Sequence, residues 1–417
     1  MNVVGVVTEH NPFHNGHLYH IEQAREKCDA ELVVSVMSGH FLQRGEPALF
    51  NKWARAKMAV LSGVDMVIEL PTAFSVRSAS AFAAGSVSLL NSMGIVTHIC
   101  FGTEAGDAGK LWPAARLLAN EPAEFKAILG GFLDEGLSFP AARAGAVERY
   151  FADEGQNTAE PGLYASPNNI LGIEYLRALL NTGSNIKPVA IKRFSAGYHD
   201  TEIGETNAIA SATSIREELL SGGRLTDTIK TVVPGSVYEE MANEISHGLG
   251  PVFIENYGNI LFYLLRTMPP EQVAGLYDVT EGLENRILEA SKSASSVKDL
   301  LKKLKTKRYT WTRIQRILTY VLLGYTKSLA GAFDYTGPRY LRILGLSSRG
   351  RALLKTVKKQ ASLPVIIRTA PWLRKYDDIS SMLRFDAMAT DIYALLYPGH
   401  RIHPVGWDYR IMPFACR

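Results

Sequence analysis

The feature that most restricts the fold is a short strand running straight into a glycine-bearing loop and then a helix. Val3 to Val7 is valine-rich, HNPFHNGH occupies positions 10 to 17, and from Leu18 to Lys27 apolar and polar residues recur at helical spacing. The alternation continues. Leu32 to Met37 is strand-like, Asn51 to Ser62 helix-like, Met66 to Leu70 strand-like, Ser78 to Met93 helix-like and Val96 to Phe101 strand-like again. Strands separated by helices join most economically as βαβ units, so the chain reads as α/β, with a Rossmann-like parallel sheet covered on both faces.

Such a sheet binds ligands at the carboxyl ends of its strands. Three loops fall there: HNPFHNGH after the first strand, Ser38 to Ala48 (SGHFLQRGEPA) after the second, and Gly102-Thr103-Glu104 after the fourth. All three are expected to face one crevice. A helix-rich insertion is expected from about Lys110 to Phe151, followed by a polar connection through Asn157 and Gly162. Ser166 to Leu180 reads as a helix with Ser166 as N-cap and Pro167 at the first helical position, Lys187 to Lys192 as a strand, and Ser214 to Leu220 as the opening of another helix. This predicts a sheet domain over residues 1–235. Residues 236–417 read as mostly helical, with candidate helices at Glu255 to Arg266, Gly282 to Ala294, Ser296 to Lys305, Trp311 to Tyr325 and Arg349 to Gln360.

Composition narrows the class. At 417 residues, 47% of them hydrophobic and 21% charged, the chain has the material for two packed domains and not for extended disorder. A net charge of +4 suits a polyanionic partner only where the cations cluster. Cys28, Cys100 and Cys416 form no C-x-x-C pair, which indicates neither a zinc knuckle nor a disulfide framework and favours a reducing compartment. The N-terminal apolar run is too short for a signal peptide, and Ile317 to Phe333 is too short for a bilayer and broken by Lys327. A cytoplasmic protein with no membrane span is expected, and no protein partner is evident.

The chemistry concentrates in His14-Asn15-Gly16-His17. A helix N-terminus presents unpaired N–H groups and a positive dipole end, so phosphate is favoured there, and glycine permits close approach. Two imidazoles three residues apart at that helix start can both reach one phosphate and donate as charge builds on its oxygens. The competing readings are a surface histidine pair or a metal site.

His-x-Gly-His in this setting is the signature of the HxGH nucleotidyltransferase superfamily. NPFHNGH, SGHFLQRGEPA, IELP at Ile68 to Pro71, FGTE at Phe101 to Glu104 and PNNILGIEYL at Pro167 to Leu176 together resemble the tRNA(Met) cytidine acetate ligase family. The resemblance implies that acetate and ATP form acetyl-adenylate and pyrophosphate, and that the acetyl group passes to N4 of the wobble cytidine of elongator tRNA(Met), giving N4-acetylcytidine. It implies catalytic roles for His14 and His17. It also implies an ATP site lined by Val7, Thr8, Glu9, His10, Asn11, Pro12, Phe13, His14, Asn15, Gly16, His17, Leu18, Tyr19 and His20, with Gly102, Arg193 and Asn169, the last adjoining Asn168. Two positions depart from the family's usual wording. His10 stands where an aromatic such as Tyr is common, and His40 where Asn is common, so a third imidazole near the site is expected to alter its pH dependence.

Ser211 to Arg216 (SATSIR) resembles the superfamily's S-S-T-x-x-R motif, which offers Ser211, Thr213 and Arg216 as triphosphate contacts, against a reading in which the hydroxyls only cap a helix. Arg193 follows a strand just before SAGYHD and suits an arginine reaching across to phosphate. Arg44, in a polar loop, suits either the acetate carboxylate or the anticodon loop, against an ordinary Gly/Pro turn. Lys302, Lys303, Lys305, Lys307, Arg308, Arg313 and Arg316 occur without an intervening acid and with Tyr309 and Trp311 interleaved, a pattern that suits RNA phosphates and stacked bases, with Lys305, Lys307, Arg308 and Arg313 as the leading candidates. The competing reading is a solvated face. His199, His247 and His403 have no partner at ligand spacing, and Asp65 and Glu69 are not assigned to metal. Mg²⁺ is expected to accompany ATP on charge grounds. The alternatives are an adenylyltransferase acting on a phosphorylated cofactor precursor, which leaves the basic helical region unexplained, and a non-catalytic RNA-binding protein.

Overall fold

The computed structural model describes residues 1–155, 160, 162–193, 210–374, 377–399 and 404–416. Asn157, the SAGYHD segment with His199, and His403 lie outside the described residues. Among the described residues the eight strands are β1 (Val3–Thr8), β2 (Leu32–Ser38), β3 (Met66–Leu70), β4 (His98–Thr103), β5 (Lys187–Lys192), β6 (Leu341–Leu346), β7 (Val365–Ile366) and β8 (Phe414–Ala415). They form one sheet in the order β5-β4-β1-β2-β3-β6-β7, with β8 also paired to β6. The first five are mutually parallel, as the alternation of elements requires.

Both faces of the sheet are buried because alternate residues supply two cores. Val34 and Ile68 enter one with Val87 and Leu90 of the Ala79–Ser92 helix and Ile173 and Leu176 of the Pro167–Thr182 helix. Val33 and Val67 enter the other with Ile21 and Ala24 of α1 (Asn15–Lys27) and Ala56 and Val60 of α2 (Lys52–Leu61). Period-2 side-chain alternation on a doubly covered sheet explains why these strands read as near-continuous apolar runs. β1 lies between β2 and β4, so the chain moves to one side after β1 and to the other after β3. The gap this leaves at the carboxyl ends of β1 and β4 is the topological switch point where such sheets bind ligands.

The helices agree with the spacing read from sequence, with shifts at their ends. α1 begins at Asn15 and not at Leu18, so Asn15, Gly16 and His17 form its first turn. β4 runs on to Thr103, which places Gly102 and Thr103 inside a strand and not in a loop. Ser166 holds the N-cap position with Pro167 following, but its hydroxyl donates back to the Gly162 carbonyl.

The region after residue 235 differs from the helical reading. Its helices are present, yet β6 adds antiparallel to β3, and β7 and β8 extend from it, so the C-terminal segment completes the sheet. LRILGL is buried at every position, and a short apolar run with no period carries no signal that separates strand from helix. Among the described residues no helix is long and apolar enough to cross a membrane.

Packing between the two regions is close at the second loop. Gly45 has φ +79°, and a Cβ there would lie 2.2 Å from the backbone nitrogen of Arg316 in the Trp311–Leu323 helix. The Thr319 hydroxyl donates to the Gly45 carbonyl at 3.0 Å. We predict that Gly45→Ala destabilises the protein by about 2 kcal/mol or more, from a left-handed alanine and an overpacked contact, read as a lower urea midpoint. An unchanged midpoint would show that the contact has slack.

Candidate active site

The start of α1 is capped by histidines. His14 has an extended N-cap conformation, and its Nδ1 accepts the Gly16 N–H at 3.0 Å; His17 Nδ1 accepts the His14 N–H at 3.3 Å. This is a reciprocal capping box built from imidazoles. A neutral imidazole whose Nδ1 accepts must carry its proton on Nε2, so both rings are set as Nε2–H donors. Their centroids lie 3.9 Å apart. Burial is the main cause holding both neutral: His14 is pressed down to about 3 and His17 well below its ordinary value, with Arg193 adding to both.

His10 completes the cluster. It adopts a left-handed φ of +48°, is buried, and packs 4.7 Å from Phe13 and 4.8 Å from His17 by ring centroids. Neither of its ring nitrogens has a hydrogen-bond partner among the described residues. Burial holds its pKa well below normal, helped by Arg55, His14 and His20. A buried polar ring with two unmet bonds in an otherwise satisfied loop is a place where a ligand atom fits. His40, the other unexpected imidazole, is buried elsewhere, beside Thr390 at 3.2 Å and Tyr393 at 4.4 Å between centroids.

Around these rings the remaining loop residues divide by direction. Val7 and Thr8 end β1, and the Thr8 hydroxyl bonds with Ser35 at 2.7 Å. Phe13 is wholly buried in core, and Leu18 and Tyr19 pack against the same cluster. Asn11 and Pro12 are buried, and Asn11 Oδ1 accepts the Leu49 N–H at 2.6 Å. The Asn15 amide donates to the Thr231 carbonyl. His20 is half-buried, with its Nε2 shut off from solvent, and its pKa is lowered to about 4 by burial and Arg193.

Two arginines close over the loop from other elements. Arg216 donates to the Asn11 carbonyl at 2.8 Å and to the Thr213 hydroxyl at 3.3 Å, and lies 3.6 Å from Glu46. Ser211 is the N-cap of the Ala212–Gly222 helix, its hydroxyl accepting from the Ser214 N–H. Arg193 crosses Gly102, where a Cβ would come within 3.1 Å of its Cγ, and donates to Asn168 Oδ1 at 2.7 Å. Asn169 is turned inward, bonded to Ala105 N and the Leu163 carbonyl, so Asn168 and not Asn169 presents its side chain to Arg193. Glu104 takes the first N–H groups of that helix.

Comparison with known proteins fits this geometry. The model of the HIGH nucleotidyl transferase family matches residues 1–404. A tRNA(Met) cytidine acetate ligase of Acetivibrio thermocellus is 42% identical over 98% of each chain, and one of Caldanaerobacter subterraneus subsp. tengcongensis is 41% identical over 99% of this chain and all of that one. The chain belongs to the tRNA(Met) cytidine acetate ligase family. The crystal structure of Thermotoga maritima TmcAL bound with alpha-thio ATP superposes on it over the full length of both chains, with TM-score 0.93 and 36% identity, and the apo form with 0.95 and 37%.

The other candidate residues are more dispersed. Arg44 is half-buried, and its charge bears on Glu9. The basic run spans a helix end, a loop and a helix start, so it does not form one helical face. Lys305 and Lys307 are exposed, Arg308 pairs with Glu281 at 2.7 Å, and Arg313 with Asp278 at 3.2 Å. Arg316 is buried, its guanidinium 3.4 Å from the Gln43 carbonyl, and Tyr309 is buried, so neither is placed to touch RNA. Asp65 and Glu69 serve ion pairs, with Arg25 and Arg349 for the first and Lys52 and Arg342 for the second. Among the described residues no group of three or more His, Cys, Asp or Glu is arranged to hold a metal ion. Sequence reading left Asn168 unresolved beside Asn169 and missed Glu46 and above all Arg55, whose only signal is an arginine set among the apolar positions of α2.

The neutral histidines fix a pH dependence. His10 and His14 bind fewer protons in the folded state than the ordinary value of 6.5 gives unfolded, so stability rises with pH and is lost as pH falls below about 6.5. We predict a lower urea midpoint at about pH 5 than at about pH 7, with a smaller difference in His14→Gln. Equal slopes in the two proteins would exclude His14 as a contributor.

Proposed function

We propose that the protein activates acetate with ATP and transfers the acetyl group to N4 of the wobble cytidine of elongator tRNA(Met), in the cytoplasm. The observation that carries this reading is the pair of neutral Nε2–H donors, His14 and His17, at a helix start on the topological switch point. An acetate oxygen attacks the α-phosphorus in line as pyrophosphate leaves. The two imidazoles and the α1 N-terminus donate to the non-bridging oxygens where charge builds, with no proton to reshuffle. Arg216 and Thr213 on one side and Arg193 on the other suit the departing β- and γ-phosphates. The cytidine amine then attacks the acetyl carbon and AMP leaves.

Magnesium fits here only as a companion of the triphosphate. Imidazole, amide and guanidinium groups dominate the loop, and a hard cation prefers oxygen, so phosphate oxygens and water would hold it. It would neutralise charge on the leaving pyrophosphate. For tRNA, Lys305 and Lys307 are the exposed cations best suited to phosphate, with Arg308 beside them.

The deciding experiment incubates tRNA with the protein, ATP and labelled acetate and analyses the nucleosides by mass. Labelled N4-acetylcytidine is expected, with acetate-dependent exchange of pyrophosphate into ATP, and exchange that acetate does not stimulate would defeat the proposal. In the same assay His17→Ala should lower adenylate formation about a hundredfold or more, as loss of one preorganised donor does. Replacing Lys305 and Lys307 by alanine should weaken tRNA binding while exchange persists. The slope of log affinity against log salt should flatten by about 0.7 to 0.9 for each phosphate that is no longer neutralised. Equal losses of binding and exchange would count against this division of labour.

A further inference from the structure

Acetyl transfer needs a base that His14 and His17 cannot supply. The cytidine amine must lose a proton as it bonds to the acetyl carbon, yet in each ring Nδ1 already accepts a backbone N–H and Nε2 already carries a proton. Arg193 and Arg216 only donate. His10 and His20 have unpaired nitrogens, but burial and the positive charge of Arg55 beside the first and Arg193 beside the second make both weak bases.

Glu9 meets the requirement. It directly follows β1, at the carboxyl end of the sheet and next to His10. One carboxylate oxygen, Oε1, is anchored by the Gln43 N–H at 2.7 Å and lies 3.5 Å from the Ser38 hydroxyl. The other, Oε2, has no hydrogen-bond partner among the described residues, and Glu9 is partly exposed. Its charged surroundings are Arg44 and Glu46 from the second loop and Arg55 from α2, with Tyr175 of the Pro167–Thr182 helix close by. Glu46 in turn lies 3.6 Å from Arg216 and 3.5 Å from the Asn11 amide, so the second loop that anchors Glu9 also touches the loop carrying His14 and His17.

Resting on the activity proposed above, we infer that Glu9 is the general base of the transfer step, acting through its uncommitted oxygen. The N4 lone pair bonds to the acetyl carbon, Glu9 takes one N4 proton, and the carbon–oxygen bond to the adenylate breaks with its electrons leaving on AMP. The proton later passes from Glu9 to water. Burial raises the pKa of Glu9, against the pull of the Gln43 N–H and the two arginines, so its carboxylate is more basic than one on the surface.

The test is Glu9→Gln in the full chain, which keeps an oxygen to accept from Gln43. Acetyl-adenylate is preformed on the protein and mixed with tRNA, and acetate-dependent pyrophosphate exchange is measured beside it. Transfer should fall about a hundredfold or more, and about tenfold or more beyond whatever exchange loses, since Glu9 also borders the ATP loop. The acidic limb of the wild-type transfer profile should disappear, and Glu9→Asp should recover part of the rate. Transfer within about threefold of wild type, or equal loss of transfer and exchange, would overturn the role, the second result marking Glu9 as a loop anchor. A wild-type protein that forms no acetyl-adenylate would overturn the activity itself and this role with it.

Discussion

The site depends on one buried guanidinium. Arg55 is fully buried, and it donates to the carbonyls of Phe50 at 2.9 Å, Glu9 at 2.6 Å and Ser38 at 3.1 Å and to that of Gly39. It ties the chain leaving β1 to the chain leaving β2 and to the start of α2. Loops at strand ends carry backbone carbonyls that no sheet ladder meets, and burying them without partners costs about 1–3 kcal/mol each. Burial lowers the pKa of Arg55 to about 10, while Tyr393, Glu9 and Glu69 favour its charge, so it stays protonated at neutral pH. One cation thus satisfies four acceptors and holds the first two loops against each other.

A second buried cluster extends that support to the C-terminal segment. Lys52 forms ion pairs with Glu69 at 2.7 Å and Asp408 at 3.0 Å, and Arg342 with Glu69 at 3.0 Å and with Asp408. Two cations face two carboxylates. Nearby, Asp386 accepts from Tyr340, and burial beside Glu69 pushes its carboxyl up to about 7. The cluster joins α2, β3, β6 and the Trp407–Arg410 helix. Removing one member would leave its partners charged in a dry interior, which commonly costs about 3–5 kcal/mol. The C-terminal segment is therefore part of the scaffold on which the second loop rests, through these ions and through Gly45 against Arg316.

The histidine cap shows how local structure becomes chemistry. A helix start leaves N–H groups unmet, and here imidazole nitrogens meet two of them. That local bond decides the tautomer, and the tautomer turns both rings into donors toward whatever lies beyond the helix end. Neutrality follows from burial and from Arg193 above.

Periodicity made the parallel sheet, its helices and the switch-point loop legible, because strands and helices impose spacings of their own on apolar residues. HNPFHNGH was legible as a loop suited to phosphate because its strand, glycine and helix are contiguous in the chain. Other features depended on contacts between residues far apart in sequence. β6 was hidden because a fully buried strand has no alternation, and Asn168 was not separable from Asn169 because only the helix's rotation decides which side chain meets Arg193. The basic run suited RNA as a whole in sequence, yet tertiary packing buried Arg316 and Tyr309 and paired Arg308 and Arg313 with acids. Sequence by itself determined which groups exist and which local elements present them. Tertiary structure alone decided which of those groups stay unpaired and face a ligand, because burial and partner choice are set by segments hundreds of residues apart.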